Sequence, residues 1–257
     1  MWFAQISDMH VTAEGRGTAY TGDTGPPLAR CLSDICSIDQ PPAAVIASGD
    51  LTNEGTAEEY ARLCRLLGAV HVPLYVIPGN HDRREALRSA FSGEGYLPAS
   101  GALCYTVVCG ELRLIALDTL VEGEDGGSLD AGQLDWLADT LKRSSVPTVV
   151  VMHHPPCRTG IAGMDSIALD ARSADTLGEL VRRSPHIARI VCGHVHRDLH
   201  ASWCGVAVSV CPSTAFQTSL SFEGAPFAAD PSQPSAYFAH YWTGAQLVTH
   251  TVSVAGV

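Results

Sequence analysis

Five strand-length apolar runs, each ending on a short cluster of Asp, Asn or His, constrain what this chain can fold into more than any other feature. Residues 2–7 lead into Asp8-Met9-His10, residues 43–48 into Gly49-Asp50, and residues 73–77 into Gly79-Asn80-His81-Asp82. Residues 148–152 lead into His153-His154, and residues 187–192 into Gly193-His194-Val195-His196. Runs of this length and β-branched content read as strands. The clusters therefore fall on loops at strand ends, and whatever sheet gathers the strands gathers the clusters with them.

Amphipathic stretches alternate with these runs. Leu28, Cys31, Leu32 and Ile35 share one helical face behind Pro26-Pro27, where proline suits a first turn. Thr56 with Glu59 predicts a capping box ahead of Tyr60, Leu63 and Leu67, and Asp130 with Gln133 predicts another ahead of Leu134, Leu137 and Leu141. Residues 103–109 and 112–117 around Gly110-Glu111 predict a hairpin, and further strands are expected over 203–210, 236–241 and 246–254. The Ser-, Pro-, Ala- and Gly-rich stretch 213–235 reads as a long loop of the kind that often carries function. At 257 residues the chain suffices for one core. A single domain over residues 1–257 is expected, with 213–257 as a C-terminal loop and strands that cap substrate or join copies.

Composition narrows the partners. A formal net charge of -11 and no Lys or Arg stripe interleaved with aromatics argue against a nucleic-acid polymer as substrate. No apolar run approaches the roughly 20 residues that span a bilayer, so no membrane partner is expected. The start of the chain reaches a polar motif by Asp8 without the basic, apolar pattern of a secretory signal, which predicts a cytoplasmic protein. Nine cysteines at irregular spacings, without a Cys-x-x-Cys pair, read as reduced thiols rather than as a disulfide framework. Cys157 reads as a packing residue.

The clusters carry chemistry. Asp, Asn and His together are oxygen and nitrogen ligands for two adjacent divalent metal ions. In an extended strand end, period two lets Asp8 and His10 project to one side, as it does His194 and His196. Two dications at about 3.5–4 Å separation need an anion between them. Asp50 is the candidate, with Asn80 as a neutral oxygen ligand and His153 as a nitrogen ligand. Each motif alone is weak, since Gly-Asp is mostly a turn and Asp-x-His mostly a surface or capping pattern. His71, His186, His200, His240 and His250 lack ligand spacing and read as structural. Arg16 and the acidic stretch 120–128 read as solvated loop.

Taken in order, Asp-x-His, Gly-Asp, Gly-Asn-His-Asp, His-His-Pro-Pro and Gly-His-x-His resemble the calcineurin-like metallophosphoesterase superfamily. The match is narrower to its class III cyclic nucleotide phosphodiesterases and related glycerophosphodiesterases, and it covers roughly residues 3–213. The resemblance implies an α/β fold, a four-layer αββα sandwich with mixed sheets. It places Asp8, His10, Asp50 and His196 on one metal, and Asp50, Asn80, His153 and His194 on the other, with His153 rather than His154 as the ligand. His154 is then behind the ligands or substrate-facing. Catalysis falls to Asp50 and His81, and substrate contacts to Asn80, His81 and His154. Met164 and Asp165 are implied as pocket residues. Asp82 either orients His81 or caps a helix.

The implied reaction is attack of a metal-activated hydroxide on a small phosphodiester, with His81 assisting departure of the alkoxide. A cyclic nucleotide is the first choice of substrate. A glycerophosphodiester, a phosphomonoester on the same site, and a non-catalytic scaffold are the alternatives. The ligand types suit manganese, iron, cobalt or zinc, and relatives that associate through their C-terminal parts make a homo-oligomer an open expectation.

Overall fold

The computed structural model describes residues 1–143, 145–222 and 227–255. In chain order the elements begin β1 (Trp2–Ile6), α1 (Gly25–Ser37), β2 (Val45–Ser48), α2 (Ala57–Leu67), β3 (Leu74–Ile77) and α3 (Arg84–Ala90). There follow β4 (Tyr105–Cys109), β5 (Leu112–Ala116), α4 (Ala131–Lys142), β6 (Thr148–Val151), α5 (Ala162–Asp165), α6 (Ala171–Arg182) and β7 (Ile187–Cys192). The chain then runs through β8 (Leu199–Trp203), β9 (Val206–Val210), β10 (Gln217–Thr218), β11 (Ala229–Asp230), β12 (Ser235–Trp242) and β13 (Leu247–Val254).

Two sheets face one another, in the orders β13-β12-β1-β2-β3 and β4-β5-β6-β7-β9-β8. Both are mixed. β1, β2 and β3 run parallel, as do β5, β6, β7 and β9, while the outer pairs β12 with β13, β4 with β5 and β8 with β9 are antiparallel. Alternation along the strands builds the layers. On β1, Phe3 packs between the sheets with Ile46, Leu114 and Val151, while Ala4 and Ile6 face α1 and α2 through Leu28, Leu32 and Leu63. Leu137, Leu141, Leu177 and Val181 of α4 and α6 cover the outer face of the second sheet over Ile115, Val150 and Ile190. The result is the expected αββα order.

Gln5 fastens the two sheets together at their buried interface. Its side-chain amide donates to Ser48 Oγ and to the Cys192 carbonyl, both at 2.9 Å, and its oxygen accepts from His240 Nε2 at 2.9 Å. His240 therefore has the structural role expected of it.

Two local expectations need correction. The strand expected over 203–210 is a hairpin, β8 and β9, because Cys204 (φ 51°) and Gly205 (φ 85°) both adopt left-handed backbones and turn the chain back. The β8 strand does alternate, with Leu199, Ala201 and Trp203 partly buried against the core and His200 and Ser202 exposed, but its turn residues Cys204-Gly205 are not one of the usual hairpin pairs. The stretch 213–235 contains the small pair β10 and β11, and its residues 223–226 lie outside the described residues. β12, which follows, lies beside β1 near the centre of the first sheet.

The capping boxes occur as read. Thr56 Oγ1 accepts from Glu59 N at 3.3 Å while the Glu59 carboxylate accepts from Thr56 N at 3.2 Å, and Asp130 with Gln133 repeats the arrangement. Replacing Thr56 with Ala should lower stability by about 1 kcal/mol. The check is a fall in the denaturant midpoint without a change in slope.

Candidate metal centre

All five clusters stand at the carboxyl ends of parallel strands, three from the first sheet and two from the second, where the two sheets meet. That convergence is the usual position of a site in an open α/β sheet. The ligand atoms of Asp8, His10, Asp50 and His196 lie within 4.8 Å of one another, and so do those of His153, His154 and His194. Asp50 faces both groups, with Oδ2 at 3.5 Å from His10 Nε2 and Oδ1 at 3.4 Å from His153 Nε2. Asn80 Oδ1 joins the second group, 3.2 Å from His153 Nε2 and 3.1 Å from His194 Nδ1.

The backbone that delivers these side chains is not extended. Asp8 (φ 51°), His10 (φ 40°), Asp50 (φ 48°), His194 (φ 74°) and His196 (φ 52°) are left-handed, and Cys204 is the one other such non-glycine residue among those described. The period-two argument for Asp8 with His10 and for His194 with His196 is therefore corrected. The strands end at Ile6 and Cys192, and tight turns aim the side chains instead. It also explains a separation that alternation would not produce, since His194 joins one group and His196 the other. Each left-handed non-glycine residue costs on the order of 1 kcal/mol or more, a cost that persists where the surroundings enforce it and that clusters at functional sites.

Close approach makes two glycines necessary. A Cβ on Gly49 (φ 98°) would run into the His153 ring, and one on Gly79 into the Asp50 carboxylate.

Hydrogen bonds to backbone carbonyls set the histidine tautomers, because a carbonyl only accepts. His153 Nδ1 donates to the Ser48 carbonyl at 2.9 Å, and His196 Nδ1 to that of Phe216 at 3.0 Å. In each ring this aims Nε2 at the carboxylates, as in metal-ligating imidazoles whose other nitrogen donates to a carbonyl. His194 Nε2 is buried and has no hydrogen-bond partner among the described residues. These are the features expected of side chains that hold cations, and the donor set fits a pair of divalent ions.

Charge is unevenly resolved. Burial raises the Asp8 carboxyl. It also opposes ionisation of Asp50, yet the imidazoles of His153, His81 and His10 outweigh it and hold Asp50 well below the usual carboxylate range. Burial presses His153 down, but Asp50 and Asp8 lift it to about 9. Burial leaves His10 and His194 well below, and His196 below, their ordinary value. The two carboxylates thus attract positive charge, while three of the imidazoles keep lone pairs free.

His154 departs from its expected substrate contact. It is fully buried, with Nε2 donating to the Asp125 carbonyl at 3.1 Å and Nδ1 accepting from Thr119 Oγ1 at 2.8 Å. Both ring nitrogens are thereby used, and burial takes its pKa to about 3. The acidic stretch 120–128 is correspondingly more than a solvated loop, since Asp125 holds His154 and Glu122 accepts from Arg84 N.

Asp82 performs neither expected role. Its carboxylate accepts from Leu51 N, Thr52 N, Thr52 Oγ1, Gly79 N and Tyr60 Oη at 2.7–3.3 Å. It ties the Asp50 loop, the Gly79 turn and α2 into one unit. Arg83, with no capping side chain, precedes α3. His81 is oriented instead by the Asn53 carbonyl, which accepts from its Nδ1 at 2.7 Å. Burial lowers His81, but Asp50, the Asn53 carbonyl and Asp82 together outweigh it and the net direction is upward. Position in the motif made His81 visible, but nothing local in the sequence marked Asn53 or Tyr60.

A cavity of about 450 Å³ opens over the cluster. His10, Asp50, Asn80, His81, His194 and His196 form its polar floor, and Met164 lines it as implied. Asp165 does not line it, and is tied to Thr159 N and Oγ1. Arg16 is exposed and also outside it. Cys157 packs against the second core cluster.

Residues 1–198 match the family model described as calcineurin-like phosphoesterase. The chain belongs to this family. A probable glycerophosphodiester phosphodiesterase of Arcobacter nitrofigilis is 32% identical over 253 residues, covering 98% of this chain and 92% of its own. A 3′,5′-cyclic adenosine monophosphate phosphodiesterase of Escherichia coli K12 is 29% identical over 218 residues, covering 83% of this chain and 76% of its own. A dimetal phosphatase from Danio rerio shares the fold at a TM-score of 0.70 and 14% identity, over 99% of each chain. The calcineurin-like fold is thus the one the five motifs implied, and this phosphoesterase brings together side chains suited to holding metal.

Asp82→Ala should cost at least about 3 kcal/mol, because it strands several buried donors at once. Chemical denaturation measures it, and Asp82→Asn, which keeps one oxygen acceptor, should lose less.

Proposed function

We propose that this phosphoesterase hydrolyses a small phosphodiester with two divalent metal ions, a cyclic nucleotide being the first choice of substrate and a glycerophosphodiester the second. One observation carries the reading. Asp50 turns its two oxygens to two separate ligand groups on the floor of a cavity with no Lys or Arg among its described lining residues.

Asp8, His10, Asp50 and His196 would hold one ion, and Asp50, Asn80, His153 and His194 the other. Manganese, iron, cobalt and zinc all suit this mixed carboxylate, amide and imidazole set. When bound, such a pair supplies Lewis acidity and lowers the pKa of water enough to yield a nucleophile near neutral pH. The protein's part is positional. Asn80 and His81 face the cavity side by side, and His81, its Nδ1 spent on Asn53, has Nε2 free to bond a phosphoryl oxygen or to protonate the departing alkoxide.

The lining favours a diester over a monoester. Among the described lining residues Asp125 adds negative charge and no Lys or Arg opposes it, which favours the singly charged diester over the dianionic monoester. The full complement of ligand residues and His81 argues against a non-catalytic scaffold.

No helix among the described residues is long and apolar enough to cross a membrane. All nine cysteines are free, which suits a reducing compartment and supports a cytoplasmic location.

The test is a rate comparison with each metal across cyclic nucleotides, glycerophosphodiesters and a monoester. Diester hydrolysis should exceed that of the monoester, and the reverse would overturn the reading. His81→Ala should lower diester turnover by about 10²–10⁴-fold while plasma emission shows unchanged metal content. Asp50→Ala should instead lose metal, since it removes the shared carboxylate, and full occupancy in that variant would contradict the assignment.

A further inference from the structure

One wall of the cavity has no part in the chemistry assigned to its floor. Tyr20, Phe216 and Phe227 line it, with Met164 and Ile167 completing the apolar side. The three rings touch one another. Tyr20 lies 4.7 Å from Phe227 and 5.5 Å from Phe216, and Phe216 lies 6.3 Å from Phe227, centroid to centroid. Phe216 also packs against His196 at 4.5 Å and His10 at 5.8 Å, so the wall begins at the candidate ligands and runs outward. Phe216 is nearly buried, whereas Tyr20 is 51% exposed. A large aromatic ring left half in water at the mouth of a polar site has surface available for a ligand to cover.

The spacing discriminates between two kinds of ligand. An aromatic cage for a quaternary ammonium group holds its rings apart around the cation, each face directed at it. Here the rings fill the space between themselves, which leaves a continuous apolar surface suited to stacking a flat group. A glycerol moiety, with hydroxyls and no ring, gains little from such a surface.

We propose that Tyr20, backed by Phe227 and Phe216, is the specificity-determining residue that stacks the planar heterocyclic base of a cyclic nucleotide whose phosphodiester lies over the metal centre. This rests on the phosphodiesterase reading and selects between its two substrates. Tyr20 acts on binding of the organic part, not on bond cleavage.

The experiment compares wild type, Tyr20→Ala and Tyr20→Phe, reconstituted with manganese, on adenosine 3′,5′-cyclic monophosphate, glycerophosphoethanolamine and glycerophosphocholine. Tyr20→Ala should raise KM for the cyclic nucleotide so that its kcat/KM falls about tenfold more than for glycerophosphoethanolamine, with kcat little changed. Tyr20→Phe keeps the ring and should restore the cyclic nucleotide rate. An equal fall on all three substrates, no fall, or a fall largest for glycerophosphocholine would overturn the proposal.

A second measurement needs no turnover. Saturation-transfer NMR of adenosine with metal-free protein should show base protons in contact with wild type and not with Tyr20→Ala, and their persistence in the variant would equally overturn the stacking role. Should wild type cleave none of the diesters while adenosine still contacts Tyr20, the hydrolase reading fails and the stacking surface stands.

Discussion

The shared carboxylate of Asp50 is the interaction on which the rest of the site depends. The two carboxylates and four imidazoles among the candidate ligands lie buried at one junction of two sheets, a concentration of polar groups that an apolar interior penalises unless something of opposite charge compensates. Within the protein alone, His153 takes that part and is lifted to about 9 by Asp50 and Asp8. The same field that draws a proton to His153 would draw a divalent ion to the centre of the cluster. Asp50 reaches toward both groups because Gly79 leaves room for its carboxylate and Gly49 leaves room for the His153 ring beside it, so the arrangement depends on two absent side chains.

The scaffold spends many of its buried polar groups on orientation. Ser48, Phe216 and Asn53 each offer a backbone carbonyl to one histidine, and Asp82 gathers donors from two loops and a helix. The left-handed turns at five candidate ligands are a local cost that such tethers offset. Precision at the floor of the cavity thus comes from neighbours that never touch a substrate. The opposite wall obeys different physics, since its aromatic rings gain from contact area rather than from charge.

Much was legible in the sequence because it is encoded locally. An apolar run followed by Asp, Asn or His marks a strand and a candidate ligand at its end. The capping boxes at Thr56 and Asp130 are four-residue signals, and both occur as read. Legibility fails where the partner is distant. Thr119 and Asp125 reach His154 across some 30 residues of sequence, and Tyr60 meets Asp82 from another element. The hairpin at 204–205 escaped because its turn is Cys204-Gly205 rather than an Asn-Gly or Asp-Gly pair.

The sequence by itself determined which side chains the site contains and that they stand at strand ends, since both follow from residue identity and from the period of the apolar runs. Only the tertiary structure decided how they are aimed. Left-handed turns, rather than strand alternation, send His194 to one group and His196 to the other, and carbonyls from remote strands and loops choose the tautomers. It also decided what faces the cavity, withdrawing His154 and bringing forward Tyr20, Phe216 and Phe227. Direction and neighbourhood depend on packing between segments far apart in the chain, and no local pattern records that packing.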